Sequence, residues 1–276
     1  MSEIDLAPNH KLGLVVRSPR LLAPAAIGFG DPLPRGLNLA ELGAVVVGPV
    51  SAEGRGYMGP ATMIEIDGGL LVQDAGFSRS ARRAVARYRA LWAGFGCPVL
   101  VHLVDATAAD LARSARHLLH APALAGVEWC VPAVASPALV AAGVRALVQV
   151  LDAPLWVKLP LENTVLLAEQ CVAAGAVGVV VGQPRQGAAV QIDRTTGARL
   201  IITGALYGPA FFATMLRVLR ETASAQLGCA LIACGGVHTP EHFQQALAAG
   251  AHAVQMDTVL WSEPGAVKWG TGETRR

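Results

Sequence analysis

Polar and reactive residues lie at the ends of several short apolar runs. Lys158 lies within the run 156–160, and Cys130 closes the run 127–130. A lysine in an apolar strand either holds an anion or a developing negative charge, or extends its amine to solvent at the rim. A thiol such as Cys130 serves as a base or nucleophile if its pKa is depressed, and otherwise only packs. His102 is also on a predicted strand, where we expect a satisfied core histidine.

A glycine pair follows the apolar run 231–234. Gly235 and Gly236 are followed by Thr239 and Pro240, a helix N-cap and a first helical residue. Such a turn exposes backbone N–H groups at the start of a helix, which suits a phosphate. The alternative is a βαβ turn that binds nothing.

Strand and helix patterns alternate along the chain, which predicts a parallel sheet. Eight strand candidates begin near residues 21, 43, 98, 126, 154, 176, 229 and 251. This number in 276 residues predicts a single (β/α)8 TIM barrel with a short N-terminal β-hairpin. We expect the domain to span 1–276, with the barrel at about 20–260 and a flexible tail at 262–276. The first strand is placed at 21–27, and 49–77 and 183–208 are read as long loops.

The composition indicates a protein with a large core. Apolar residues make up 53% of the chain and charged residues 15%, with a net charge of +2 and no basic block. Nucleic-acid binding therefore has little support, and we expect no membrane span, no signal peptide and a cytoplasmic location. Five cysteines match no zinc or iron–sulfur spacing, so no metal site is expected.

Several motifs occur together in one order. The most specific are the loop 187–199, the segment 203–210 (TGALYGPA), the segment 234–241 (CGGVHTPE) and the segment 249–255 (AGAHAVQ). Segments 22–30, 73–76 and 157–160 match more loosely. Over about 12–260, this order resembles the class 1 dihydroorotate dehydrogenases, which are FMN-dependent β/α barrels of pyrimidine biosynthesis.

The resemblance implies a flavoprotein oxidoreductase acting on dihydroorotate or a related small substrate. Hydride would pass to FMN, with Cys130 as the base and Lys158 as a second catalytic residue. The partners implied are a second copy in a homodimer and an electron-transfer subunit with an iron–sulfur cluster and FAD. The implied FMN-site residues are Ala23, Lys158, Gly204, Gly208, Gly235, Gly236 and Thr258.

Departures from the family pattern fall in the site. The family's active-site lysine is Gly48 here, the asparagine of one turn is Asp74, and an Asn-Thr pair is Gln183-Pro184. The segment 128–133 keeps no asparagine of the substrate loop, and each hydrogen bond lost in this way costs roughly 1–3 kcal/mol.

The flavin motifs differ as well. Asp257 replaces a glycine and Tyr207 a serine. A carboxylate beside a phosphate is unfavourable without a cation. Three hypotheses remain: orotate chemistry kept by compensating residues, an FMN enzyme for another substrate, or a catalytically degenerate barrel that acts as a binding or partner subunit.

Overall fold

Short runs of buried aliphatic residues form the strands of the structure, a computed structural model that describes residues 3–55, 62–73, 77–121, 123–192 and 195–269. The strands are β1 (Ile4–Asp5), β2 (Val15–Val16), β3 (Arg20–Leu22), β4 (Ala44–Ser51), β5 (Thr62–Ile66), β6 (Gly69–Gln73), β7 (Arg79–Ser80), β8 (Val99–Leu103), β9 (Leu124–Cys130), β10 (Leu155–Leu159), β11 (Gly178–Val181), β12 (Arg185–Ile192), β13 (Arg199–Tyr207), β14 (Ala230–Cys234) and β15 (Ala253–Met256).

Helices follow most of the barrel strands. They are α1 (Pro24–Ile27), α2 (Ala81–Ala93), α3 (Ala108–Leu118), α4 (Pro137–Val148), α5 (Thr164–Ala173), α6 (Phe212–Ser224), α7 (Pro240–Ala248) and α8 (Val259–Ser262), with 3-10 turns at Leu39–Glu41, Pro209–Phe211 and Pro264–Lys268. Side-chain caps fix several starts: Thr107 accepts the Asp110 N–H, Ser136 the Leu139 N–H and Thr239 the His242 N–H.

The barrel is closed. Within the described ranges, eight parallel strands pair in the order β3, β4, β8, β9, β10, β11, β14, β15 and back to β3. This confirms the predicted TIM barrel. The register sets His102 opposite Glu128, and Lys158 opposite Cys130. Since side chains alternate between the two faces of a strand, these inward positions form layers inside the barrel.

The N-terminal hairpin closes the bottom of the barrel interior. β1 and β2 pair antiparallel, which confirms the predicted hairpin. Leu6 and Leu14 pack with inward residues of the strands, including Trp156. The Trp156 Nε1–H donates to the Leu6 carbonyl at 2.9 Å, so the one polar atom of this large side chain is satisfied there. The open, polar end of the barrel is therefore the other one.

The two segments predicted to be long loops contain strands, so that prediction was wrong for them. β12, β13, β6 and β5 form a four-stranded antiparallel sheet. The missed signal is Asp67-Gly68, a two-residue turn between paired Ile66 and Gly69. Asp74 lies outside the described residues.

The first barrel strand is shorter than predicted. It ends at Leu22, and Pro24 begins α1 instead of continuing a strand. Proline has no N–H for a strand ladder but suits a first helical position. Ala23 joins the two elements, and its N–H donates to the Met256 carbonyl at 2.8 Å.

Part of the predicted flexible tail is held against the barrel. Ala266 and Val267 are buried, and the buried Arg20 guanidinium donates to the Val267 carbonyl at 2.9 Å. Residues 270–276 lie outside the described residues. No helix within the described ranges has the length and apolarity needed to cross a membrane.

The hairpin plug gives a stability prediction. Leu6 is 1% exposed, whereas Leu12 in the same hairpin is 65% exposed. Leu6→Ala should lower the free energy of unfolding by about 2–5 kcal/mol because it opens a cavity under the barrel. Leu12→Ala is the matched control, with an expected change within about 0.5 kcal/mol. Urea denaturation measures both, and equal losses would contradict the plug.

Candidate functional site

A cavity of about 360 Å³ opens at the carboxyl ends of the barrel strands. This is the end at which β/α barrels carry their chemistry. Its walls are largely apolar, with a small set of polar groups on the floor. Six of the residues proposed from the sequence line it: Cys130, Lys158, Gly208, Gly235, Gly236 and Thr258.

Two proposed residues do not line the cavity. Ala23 is fully buried and packs with the barrel interior. Gly204 pairs with Gly187 in the antiparallel sheet, where an added Cβ would overlap the Val72 carbonyl. Gly204 therefore permits a close approach of strands and has no cavity contact.

Lys158 lies on the floor with its charge paired. Its Nζ donates to Gln255 Oε1 at 2.8 Å and is 3.5 Å from Glu128 Oε1. Burial lowers the pKa of Lys158, whereas Cys234, Glu128 and Asp257 raise it, and the net pKa is above the ordinary value. The amine is a buried cation and does not extend to solvent.

Glu128 is the centre of this floor. It is fully buried on β9, accepts from His102 Nδ1 at 2.7 Å, and also accepts from Gln255 Nε2. Burial raises the pKa of Glu128, but the Lys158 charge and the His102 hydrogen bond lower it to about 2. A buried carboxylate with a cation and two hydrogen-bond donors beside it stays ionised.

Sequence reasoning missed most of this cluster. His102 was read as a core histidine, yet it lines the cavity, and neither Glu128 nor Gln255 was proposed. The sequence does contain a signal for both. Glu128 is a carboxylate and Gln255 an amide inside otherwise apolar strands, and they precede Cys130 and Asp257 by two residues. Positions 128 and 130, like 255 and 257, share one face of a strand.

The Cys130 thiol lines the cavity, and its pKa lies above the ordinary value. Burial raises it to about 12, Lys158 opposes this shift, and Glu128 adds to it. The depressed pKa that a basic or nucleophilic role requires is absent. Cys234, at the end of β14, also lines the cavity, and burial raises its pKa to about 11.

Asp257 follows β15 and faces the same floor. Its Oδ1 is buried and accepts no hydrogen bond from the described residues. Burial raises the pKa of Asp257 to about 6, although the Lys158 charge lowers it. The carboxyl therefore interacts with Lys158 in the barrel interior and becomes protonated as the pH falls through about 6.

The glycine turn forms one wall. Gly235 and Gly236 have positive φ values of 110° and 70°. A Cβ on Gly236 would overlap the Phe212 backbone, whereas a Cβ on Gly235 would meet open space. The Thr258 hydroxyl lies beside it, 3.4 Å from His238 Nε2. Open backbone N–H groups and a hydroxyl fit the phosphate of a mononucleotide.

Three further side chains that line the cavity have partners within the chain. Gln183 Nε2 donates to the Val131 carbonyl at 2.9 Å and to the Lys158 carbonyl at 2.6 Å. Arg185 is paired with Glu162. Tyr207 lines the cavity, with its ring 6.3 Å from that of Trp261.

The raised pKa of Asp257 predicts a pH-dependent stability. Because the folded pKa of about 6 exceeds the ordinary value of 3.8, the stabilising contribution of this carboxyl is present below about pH 4 and is lost as the pH rises through 6. Asp257→Asn should therefore raise the free energy of unfolding by on the order of 1–3 kcal/mol near pH 8. Denaturant unfolding of both proteins at about pH 4 and pH 8 measures this. An equal difference in the free energy of unfolding at both pH values would contradict a raised pKa of Asp257.

Curated relatives match nearly the whole chain, whereas no family model matches it. The "Dihydroorotate dehydrogenase B (NAD(+)), catalytic subunit" of Desulforudis audaxviator is 29% identical over 92% of this chain and 86% of its own length. The proteins of that name from Geotalea daltonii and Geobacillus sp. are each 26% identical, over 97% and 91% of this chain and 91% and 84% of their own. With the parallel eight-stranded barrel formed by the described residues, these matches make the chain a divergent relative of the class 1 dihydroorotate dehydrogenases.

Proposed function

We propose that this chain is a dihydroorotate dehydrogenase-like oxidoreductase that binds FMN in the cavity and acts on a small substrate. The observation that carries the proposal is the charged amine of Lys158, buried on the cavity floor near an open glycine turn. A fixed cation in a dry site stabilises negative charge that develops during a reaction. The names of the relatives support the same reading.

The FMN phosphate would be held by the Gly235–Gly236 backbone and the Thr258 hydroxyl, and Gly208 would form part of the wall beside the ring. When bound, FMN supplies the acceptor of a hydride. Lys158 would hold the negative charge of the reduced state. Glu128 and Gln255 keep that amine in one place, so it needs no reorganisation.

The substrate proton would go to His102. Its Nδ1 is engaged by the Glu128 carboxylate at 2.7 Å, which leaves Nε2 as the ring nitrogen that can accept a proton. A buried carboxylate that orients a histidine is the arrangement by which that histidine works as a base. Cys130, the base expected by resemblance, has its pKa raised to about 12.

The substrate would be a relative of dihydroorotate. The Gln183 amide, which stands where the family has an asparagine, donates to two backbone carbonyls. Little on the floor is left to read a ring carboxylate. Because the relatives are named as catalytic subunits for NAD(+), we also propose an electron-transfer subunit as a partner. A second copy of the chain in a homodimer and a cytoplasmic location complete the proposal.

Flavin binding tests the proposal. Purified protein, or protein reconstituted with FMN, should show the flavin absorbance band at roughly 450 nm, which is a property of the cofactor. Thr258→Val keeps the side-chain volume but removes the hydroxyl, and should weaken FMN binding about tenfold. Thr203→Val, on an exposed residue of β13, is the control. A colourless protein that takes up no FMN would exclude the enzyme and favour the degenerate barrel.

The proton acceptor is tested separately. In the FMN-loaded protein, anaerobic reduction by dihydroorotate or dihydrouracil should slow by about 100-fold or more in His102→Gln. Cys130→Ser should stay within about threefold of the unmutated protein, since its thiol is not ionised. His120→Gln, on an exposed residue, controls for loss of any histidine. Loss of reduction in Cys130→Ser alone would assign the base to the thiol.

A further inference from the structure

The cavity floor holds an acceptor without a donor. Asp257 lines the cavity, and its buried Oδ1 accepts no hydrogen bond from the described residues. A buried polar atom left unmatched costs about 1–3 kcal/mol. The other inward polar groups of the floor, His102, Glu128 and Gln255, bond to one another. The unmatched oxygen therefore indicates a ligand that brings an N–H or O–H.

A donor lines the same cavity as this acceptor. The Lys158 ammonium has three N–H groups, of which one goes to Gln255 at 2.8 Å and a second faces Glu128 at 3.5 Å. The third has only the Cys234 sulfur, a weak acceptor, as a partner among the described residues, so a ligand carbonyl can compete for it. Lys158 and Asp257 line the same cavity. A donor and an acceptor in one cavity complement a ligand that carries both a C=O and an N–H, as the edge of a cyclic amide, imide or urea does.

The charges on the floor oppose an anion. Lys158 is matched by Glu128, and Arg185 at the rim by Glu162. Burial raises the pKa values of the Cys130 and Cys234 thiols, so both are uncharged. A ligand carboxylate would therefore meet Asp257 without an unpaired cation among the groups named here.

We propose that Lys158 and Asp257 together read the N–H/C=O edge of a neutral cyclic amide and discriminate against a carboxylated ring. The inference deepens the proposed function, because it takes the same cavity as the ligand site. The edge belongs either to the substrate or to the pyrimidine ring of the flavin itself. In both cases Asp257 is a specificity determinant, and the ligand supplies its missing donor.

Uracil and orotate form a matched pair of probes, because they differ by one carboxylate. Ligand-observed NMR on the chain stripped of flavin, near pH 8, should show uracil binding about tenfold more tightly than orotate. Asp257→Ala should weaken uracil binding about tenfold through loss of the acceptor. Asp257→Asn keeps an acceptor without the charge, so it should retain uracil and bind orotate better. Asp152→Asn, on an exposed residue, should match the unmutated chain.

The preference should also depend on pH. Below a pH of about 6, Asp257 is protonated and the bias against orotate should shrink. The other titratable groups in or below the cavity around Asp257 are those of Lys158, Glu128, Cys130, Cys234 and His102. In Asp257→Asn the preference should be flat with pH. A pH dependence that persists in this variant would arise from another group and count against the proposal.

The two sources of the edge are separated by loading FMN. If uracil still binds to the loaded protein, the substrate supplies the edge. If FMN excludes uracil and Asp257→Ala weakens FMN, the flavin supplies it. Tighter binding of orotate than of uracil, an unchanged preference in Asp257→Ala, or no uracil binding up to about 10 mM would overturn the proposal. A chain that prefers uracil but takes up no FMN would defeat only the flavin function.

Discussion

The buried carboxylate of Glu128 is the constraint on which the site depends. An ionised carboxylate inside a barrel is very unfavourable unless its charge and lone pairs are matched. Here His102, Lys158 and Gln255 supply the match, from the strands β8, β10 and β15. The same contacts fix the charge of Lys158 and the orientation of His102. Removing one member would leave the others with uncompensated charge or unmade hydrogen bonds.

The fold brings these four side chains together inside the barrel. The parallel register sets His102 opposite Glu128, and Gln255 opposite Cys234. The N-terminal hairpin closes the apolar end below, so the polar layer faces the cavity above. β13 brings Leu206 and Tyr207 to the rim, which makes the antiparallel sheet part of the cavity wall. Polar groups concentrated under apolar walls suit a ring with few, well-placed polar atoms.

Much of the fold could be predicted from the sequence, because buried strands and capped helices leave local signals. The hairpin, the barrel and the positions of Lys158, Cys130 and the glycine turn follow from such signals. The antiparallel sheet was missed because its strands are largely exposed and lack a continuous apolar run. The Glu128 cluster was missed for another reason: its members are 26, 30 and 97 residues apart in sequence, and only strand register brings them together. Burial, which sets the pKa of Cys130 and of Asp257, is likewise a property of the folded chain.

In the proposed site, Glu128 affects a bound flavin by holding the Lys158 amine in place. The most direct test is a double-mutant cycle on FMN affinity with Lys158→Met, Glu128→Gln and the double variant, each checked for folding by circular dichroism. The predicted result is that each single change weakens FMN binding about tenfold or more, and that the double variant is little worse than either, because the two residues act as a unit. Additive losses, or FMN binding unaffected by Lys158→Met, would contradict the account.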